Sequence, residues 1–81
     1  MIRLEKKSKR DVQDIKNRAI EFFGPAGLGL TYDSSDPSTL SFEGGGGGVN
    51  VIIAPHNGSN SVEVLSQEWD YQAKKFVEEK L

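Results

Sequence analysis

The sequence has no cysteine, which excludes disulfides, thiolate metal sites and cysteine nucleophiles. It also has no apolar run near the length of a membrane span, and residues 1–6 lack the apolar core of a signal peptide. We therefore expect a cytoplasmic protein without a membrane partner. Its 81 residues predict a single domain over 1–81 with a thin core, because so short a chain buries only roughly 60–65% of its unfolded surface.

Basic residues are missing from the middle of the chain, since neither Lys nor Arg occurs between Arg18 and Lys74. The first 18 residues hold seven Lys or Arg against three acids, whereas the remainder holds three lysines against nine acids. The basic N-terminal segment makes nucleic-acid binding an alternative function. The net charge of −2 and the lack of a basic or aromatic stacking platform make nucleic acid an unlikely partner.

Two segments have helical periodicity. Val12, Ile15, Ala19 and the two phenylalanines at 22 and 23 predict a helix over 9–23, with Ser8 as its N-cap. Trp69, Ala73, Phe76, Val77 and Leu81 share one face of a second helix, which begins at 68 or 69 with Ser66 as its cap.

Alternating residues predict strands over 27–32, 39–43, 49–54 and 61–66, and a short edge strand over 1–6. Short connections, including Asn57-Gly58, favour an antiparallel meander. The fold class is therefore α+β, with a four- or five-stranded sheet and both helices packed on one face. That face is predicted to carry Leu28, Leu30, Tyr32, Leu40, Phe42, Val49, Val51, Ile53, Val62 and Val64.

Five consecutive glycines, 44–48, separate two of the strands. A phosphate-binding loop needs a following helix and a nearby cation, but a strand follows here and Glu43 precedes. We interpret the run as a turn or bulge that lets a side chain or a ligand approach the backbone closely. Trp69 and Tyr71 are the side chains proposed for this approach.

The order strand, helix, meander, helix resembles a shortened helix-grip domain of the START-like, polyketide-cyclase type. The segments that carry this resemblance are 49–53, 57–58 and 62–64, followed by an amphipathic helix. The segments 21–25, 42–47 and 68–72 resemble short uncharacterised prokaryotic domains. Neither resemblance supplies catalytic residues. Full-length helix-grip domains hold apolar ligands between sheet and helix, in a cavity that this chain is too short to enclose.

These observations favour a small non-enzymatic module. One version binds a small apolar ligand in a groove beside the C-terminal helix, lined by Tyr32, Phe42, Gly46, Gly47, Trp69 and Tyr71. The other is a homodimer whose interface includes Ile52 and Leu65, on the opposite side of the sheet. We expect no catalytic set, metal or cofactor. The alternative is a cyclase-like acid–base enzyme that uses Glu68, Asp70, Tyr71 or His56.

Overall fold

The computed structural model describes residues 1–34 and 36–81 in full and the backbone of Ser35. In these residues the chain forms an α+β domain whose elements are β1 (Ile2–Ser8), α1 (Val12–Phe23), β2 (Thr31–Asp36), β3 (Thr39–Gly44), β4 (Gly47–His56), β5 (Ser59–Gln67) and α2 (Asp70–Lys80). Neither helix of the described chain has the length and apolar character needed to cross a bilayer.

The strands form one antiparallel sheet in the order β1-β5-β4-β3-β2. The predicted meander is confirmed, and the N-terminal strand is part of the sheet, where it pairs with β5 from Ile2 opposite Ser66 to Ser8 opposite Asn60. Asn57 and Gly58 both have positive φ and join β4 to β5 in a two-residue hairpin turn.

Helix α1 begins three residues later than the sequence predicts. Asp11 is the N-cap, and its carboxylate accepts a hydrogen bond from the amide of Asp14 at 2.7 Å. The prediction of Ser8 as cap is wrong because β1 extends to Ser8, whose hydroxyl instead accepts from the amide of Arg10. Ile15, Ala19 and Phe23 recur every four residues and are fully buried, so this stripe faces the sheet.

Helix α2 is preceded by Trp69 at the N-cap position, without a side-chain cap bond. The prediction of Ser66 as cap is wrong, since Ser66 belongs to β5 and is buried. Glu68 has a φ of 73° and turns the chain sharply from strand to helix. Ala73 and Phe76 are the buried residues of α2.

Both helices cover the same side of the sheet, called here the core face, and the opposite side is the outer face. The side chains predicted for the core face are buried, with two exceptions. Leu28 is 37% exposed because the chain wraps the end of α1 there, with its amide bonded to the carbonyl of Phe22, and β2 starts only at Thr31. Tyr32 is 43% exposed because β2 is an edge strand.

The segment between the predicted strands 27–32 and 39–43 is mostly strand, since β2 continues to Asp36 and Pro37-Ser38 alone form the turn. The side chain of Ser35 lies outside the described part of the chain. The amide and the hydroxyl of Ser38 donate to a carboxylate oxygen of Asp36 at 2.9 and 3.0 Å. These bonds, with a smaller contribution from Lys16, lower the pKa of Asp36 below its ordinary value of 3.8.

A lowered folded-state pKa adds stability above pH 3.8 that is lost as the pH falls through the folded pKa. We expect Asp36→Asn to be less stable than the parent at pH 7, and this difference to shrink steadily below pH 3.8 in urea unfolding curves. Glu5→Gln, which removes a charge at an exposed position of β1, is the control. A difference that is the same at pH 7 and pH 2.5 would contradict the assignment.

Candidate functional site

The glycine run forms the turn between β3 and β4. Gly45 and Gly46 are the two central residues of this turn, with φ of 60° and 82°. A two-residue turn with both φ values positive matches the twist of the flanking strands and strongly favours glycine. We call residues 44–48 the glycine hairpin.

The other glycines have little room for a Cβ, because backbone lies close to Gly47 and Gly48 and a leucine side chain lies close to Gly44. A Cβ on Gly47 would lie 2.1 Å from the carbonyl oxygen of Gln67, and one on Gly48 would lie 2.7 Å from that of Phe42. A Cβ on Gly44 would lie 2.7 Å from Cδ2 of Leu30. The run therefore combines a positive φ at Gly45 and Gly46 with a lack of space for a Cβ at every position except Gly46.

Trp69 connects the junction before α2 with the glycine hairpin by a hydrogen bond and by packing of its ring. Its Nε1 donates to the carbonyl oxygen of Gly44 at 2.9 Å. Its ring lies so close to Gly45 that a Cβ there would be 2.8 Å from Cζ2. The predicted close approach of Trp69 to the glycines is confirmed, and it gives the indole a structural role.

A depression of about 620 Å³ lies on the outer face beside the glycine hairpin. Glu43, Gly48 and Gln67 stand side by side on β3, β4 and β5, and Asn50 stands opposite Leu65 in the next row. We call this feature the hairpin depression; it is lined by Met1, Phe42, Glu43, Gly44, Gly46, Gly47, Gly48, Val49, Asn50, Leu65, Ser66 and Gln67.

Buried members of this lining contribute mainly backbone. Phe42 and Val49 are 1% exposed, and their side chains belong to the core face. The side chains available to a ligand are therefore those of the outer-face positions, chiefly Glu43, Asn50 and Gln67. Leu65 adds a half-buried apolar wall.

The structure separates the six residues that were predicted to line one groove. Gly46 and Gly47 line the hairpin depression on the outer face. Phe42 is not an open groove floor, because the rings of Phe23 and Tyr32 pack against it at centroid distances of 5.3 and 5.9 Å.

Tyr71 and Trp69 also have different surroundings. Tyr71 is 69% exposed on α2, where Lys75 lies 5.7 Å from its ring centroid. It lines a separate surface depression with Lys74, Glu78 and Glu79. Trp69, in contrast, packs on the glycine hairpin and the core. A single groove formed by all six residues is therefore not the arrangement of this chain.

Sequence reasoning missed Glu43, Asn50 and Gln67 as neighbours. Their alternation with core residues places them on the outer face, but only the pairing register aligns them across three strands. The signal in the sequence is the short spacing of Glu43 and Asn50 around the five glycines.

Ile52 and Leu65 lie on the outer face, as predicted. Ile52 pairs with Glu63 and Leu65 pairs with Asn50, so the two apolar side chains are diagonal neighbours. Both are half-buried. Arg3, on the adjacent β1, pairs with Leu65 in register and forms an ion pair with Glu63.

The acid–base candidates do not converge. His56 is at the far end of β4 from the glycine hairpin, and the ten residues of that strand span roughly 30 Å. Glu68, Asp70 and Tyr71 lie at the hairpin end, around the start of α2. Across the described residues, no group of His, Asp and Glu side chains is arranged to hold a metal ion.

Several N-terminal cations have partners within the chain. Lys6 donates to the carbonyl oxygen of Val77 at 3.2 Å, near the C-terminal end of α2. Arg10 and Arg18 both bond to the carboxylate of Asp14. These contacts give part of the basic segment a structural role.

No family model, curated protein or solved structure matches this chain.

Two alanine substitutions separate conformational strain from lack of space in the glycine hairpin. Gly46→Ala meets no atom within 4 Å, so we expect only the cost of a positive φ, about 1 kcal/mol. Gly47→Ala must displace the backbone of Gln67, and we expect a loss of roughly 1–3 kcal/mol. Urea unfolding measures both. A Gly47→Ala protein as stable as the parent would contradict the close approach.

Proposed function

We propose that this chain is a non-enzymatic binding module whose ligand site is the hairpin depression on the outer face. The observation that supports this proposal most strongly is the asymmetry of the sheet. The core face is filled by the helices and their buried side chains, whereas the outer face is uncovered and carries a depression of about 620 Å³. Small-molecule sites in proteins have volumes of roughly 300–1,000 Å³.

The walls of the depression are held in place before any ligand arrives. Its floor is sheet backbone, and the turn beside it is fixed by paired strands and by the bond from Trp69 to Gly44. A rigid site loses little conformational entropy on binding. Polar amide groups of Asn50 and Gln67 beside the apolar Leu65 suit a small ligand that has both polar and apolar parts.

Strand addition at either sheet edge is disfavoured. Edge strand β1 carries charged Lys6 and Lys7, and edge strand β2 has a register shift between Asp33 and Asp36 followed by Pro37. Charge, irregularity and proline all hinder pairing with another strand. The outer face is therefore a better binding surface than the sheet edges.

A chemical-shift titration with a panel of small molecules tests this function. We expect the backbone amides of residues 46–48 and the side-chain amides of Asn50 and Gln67 to shift together for a bound compound. Leu65→Ala should weaken that binding, whereas Tyr71→Ala, on the exposed side of α2, should leave it unchanged. Shifts confined to α2, or none with any compound, would contradict the proposal.

Homodimerisation through the outer face is the second candidate, and the diagonal placement of the apolar residues Ile52 and Leu65 on that face favours it. These residues lie on β4 and β5, the central strand and its neighbour. A face-to-face arrangement about a two-fold axis would bring such a patch onto itself.

Sedimentation equilibrium over a concentration series distinguishes the two candidates. If the outer face dimerises, Ile52→Lys combined with Leu65→Lys should convert a concentration-dependent dimer into a monomer. Tyr71→Lys, which removes an exposed apolar side chain elsewhere, should not. A parent protein that stays monomeric at millimolar concentration would rule out the dimer and leave the ligand site untouched.

A further inference from the structure

We infer that the hairpin depression selects a small organic cation, specifically a ligand with a primary ammonium group on a short methylene chain. This inference rests on the proposed function and adds the chemical class of the ligand. It follows from the register of three strands and from the distribution of charge around Glu43.

Gly48 forms the floor of a notch between two longer side chains. Glu43 on β3 and Gln67 on β5 both pair in register with Gly48 on β4. Two strand spacings separate β3 from β5 by about 9.6 Å. Since Gly48 has no side chain, no third side chain stands between the carboxylate and the carboxamide, and Cγ of Glu43 borders the space directly over Gly48.

The groups around the notch offer oxygen acceptors. Glu43 supplies a carboxylate, and Gln67 and Asn50 each supply a carbonyl oxygen. Leu65, opposite Asn50 in register, supplies an apolar wall. An ammonium group donates three hydrogen bonds and accepts none, so it complements this set, and its methylene chain fits along Gly48 and Leu65.

The charge of Glu43 is not neutralised within the described chain, where no ion pair of its carboxylate occurs. Two basic groups lie nearby, and both are paired. The N-terminal ammonium of Met1, which lines the depression, lies 3.6 Å from Oδ2 of Asp70, and Arg3 forms an ion pair with Glu63. An anionic ligand would therefore meet an unpaired negative charge and no free cation of the sheet. This excess of negative charge favours a cation over a phosphate or a carboxylate.

The test compares three probes of similar length, namely 1,4-diaminobutane, butane-1,4-diol and succinate, in chemical-shift titrations at low salt. We expect the diamine to shift residues 46–48 and the side-chain amides of Asn50 and Gln67, and the diol and succinate to shift them little. Glu43→Gln should weaken the diamine about fivefold, the effect of losing one exposed charge pair. Glu5→Gln removes another exposed charge, from β1 on the same face, and should change nothing. The thermal midpoints of both variants confirm that they remain folded.

The outcomes separate this inference from the proposed function. If the diol shifts the same amides as strongly as the diamine, or Glu43→Gln binds the diamine unchanged, the cation preference is wrong and the depression remains a binding site. If none of the three probes shifts these amides, the cation site is wrong. The titration with the larger panel of small molecules then tests whether the depression binds any ligand. The inference is also wrong if the diamine shifts the amides of acidic residues throughout the chain and these shifts are the same in the parent and in Glu43→Gln.

Discussion

A cluster of buried phenylalanine rings holds this domain together. Phe23 of α1 lies between Phe42 of β3 and Phe76 of α2, at centroid distances of 5.3 and 5.1 Å. Each such pair contributes about 0.5–1.5 kcal/mol beyond simple burial. Because one ring contacts both the sheet and the other helix, the two helices are fixed on the same face. The uncovered outer face, and with it every candidate contact surface on the sheet, is a consequence of this arrangement.

The glycine hairpin is also packed from the helix side of the sheet, by Trp69. Trp69 can reach the carbonyl of Gly44 only because α2 starts directly after β5, where Glu68 has a left-handed backbone. The indole then contacts Gly45 from the helix side, while Gly48 leaves the outer side open. The glycine hairpin thus packs closely against Trp69 on the core face and borders the hairpin depression on the outer face. A turn alone would not require five glycines.

Periodicity in the sequence was enough to predict both helices, the meander and the core face, because burial repeats every second residue in strands and every third or fourth in helices. The predictions of the helix cap and of a strand start were wrong where two local structures competed for the same residues. Ser8 and Asp11 are both good caps, and extension of β1 made Asp11 the one available. Leu28 has the apolar character of a strand residue, yet hydrogen bonds to the end of α1 hold it in a turn. Glu43 and Gln67 flank Gly48 only through the pairing register, which depends on the turns at 45–46 and 57–58 as much as on either residue.

The pairing of β1 with β5 has a consequence for how the chain folds. Strands β2 to β5 join neighbours through turns of two residues, whereas Ile2 pairs with Ser66, across most of the chain. Closing so long a loop costs more entropy than forming a hairpin, and contacts between distant residues slow folding. We therefore expect the hairpins to form first and β1 to dock late, after α1 has brought the N-terminal segment to the edge of β5. Until then the edge of β5 is open, so the charged strand β1 also protects the folded sheet from pairing with another molecule.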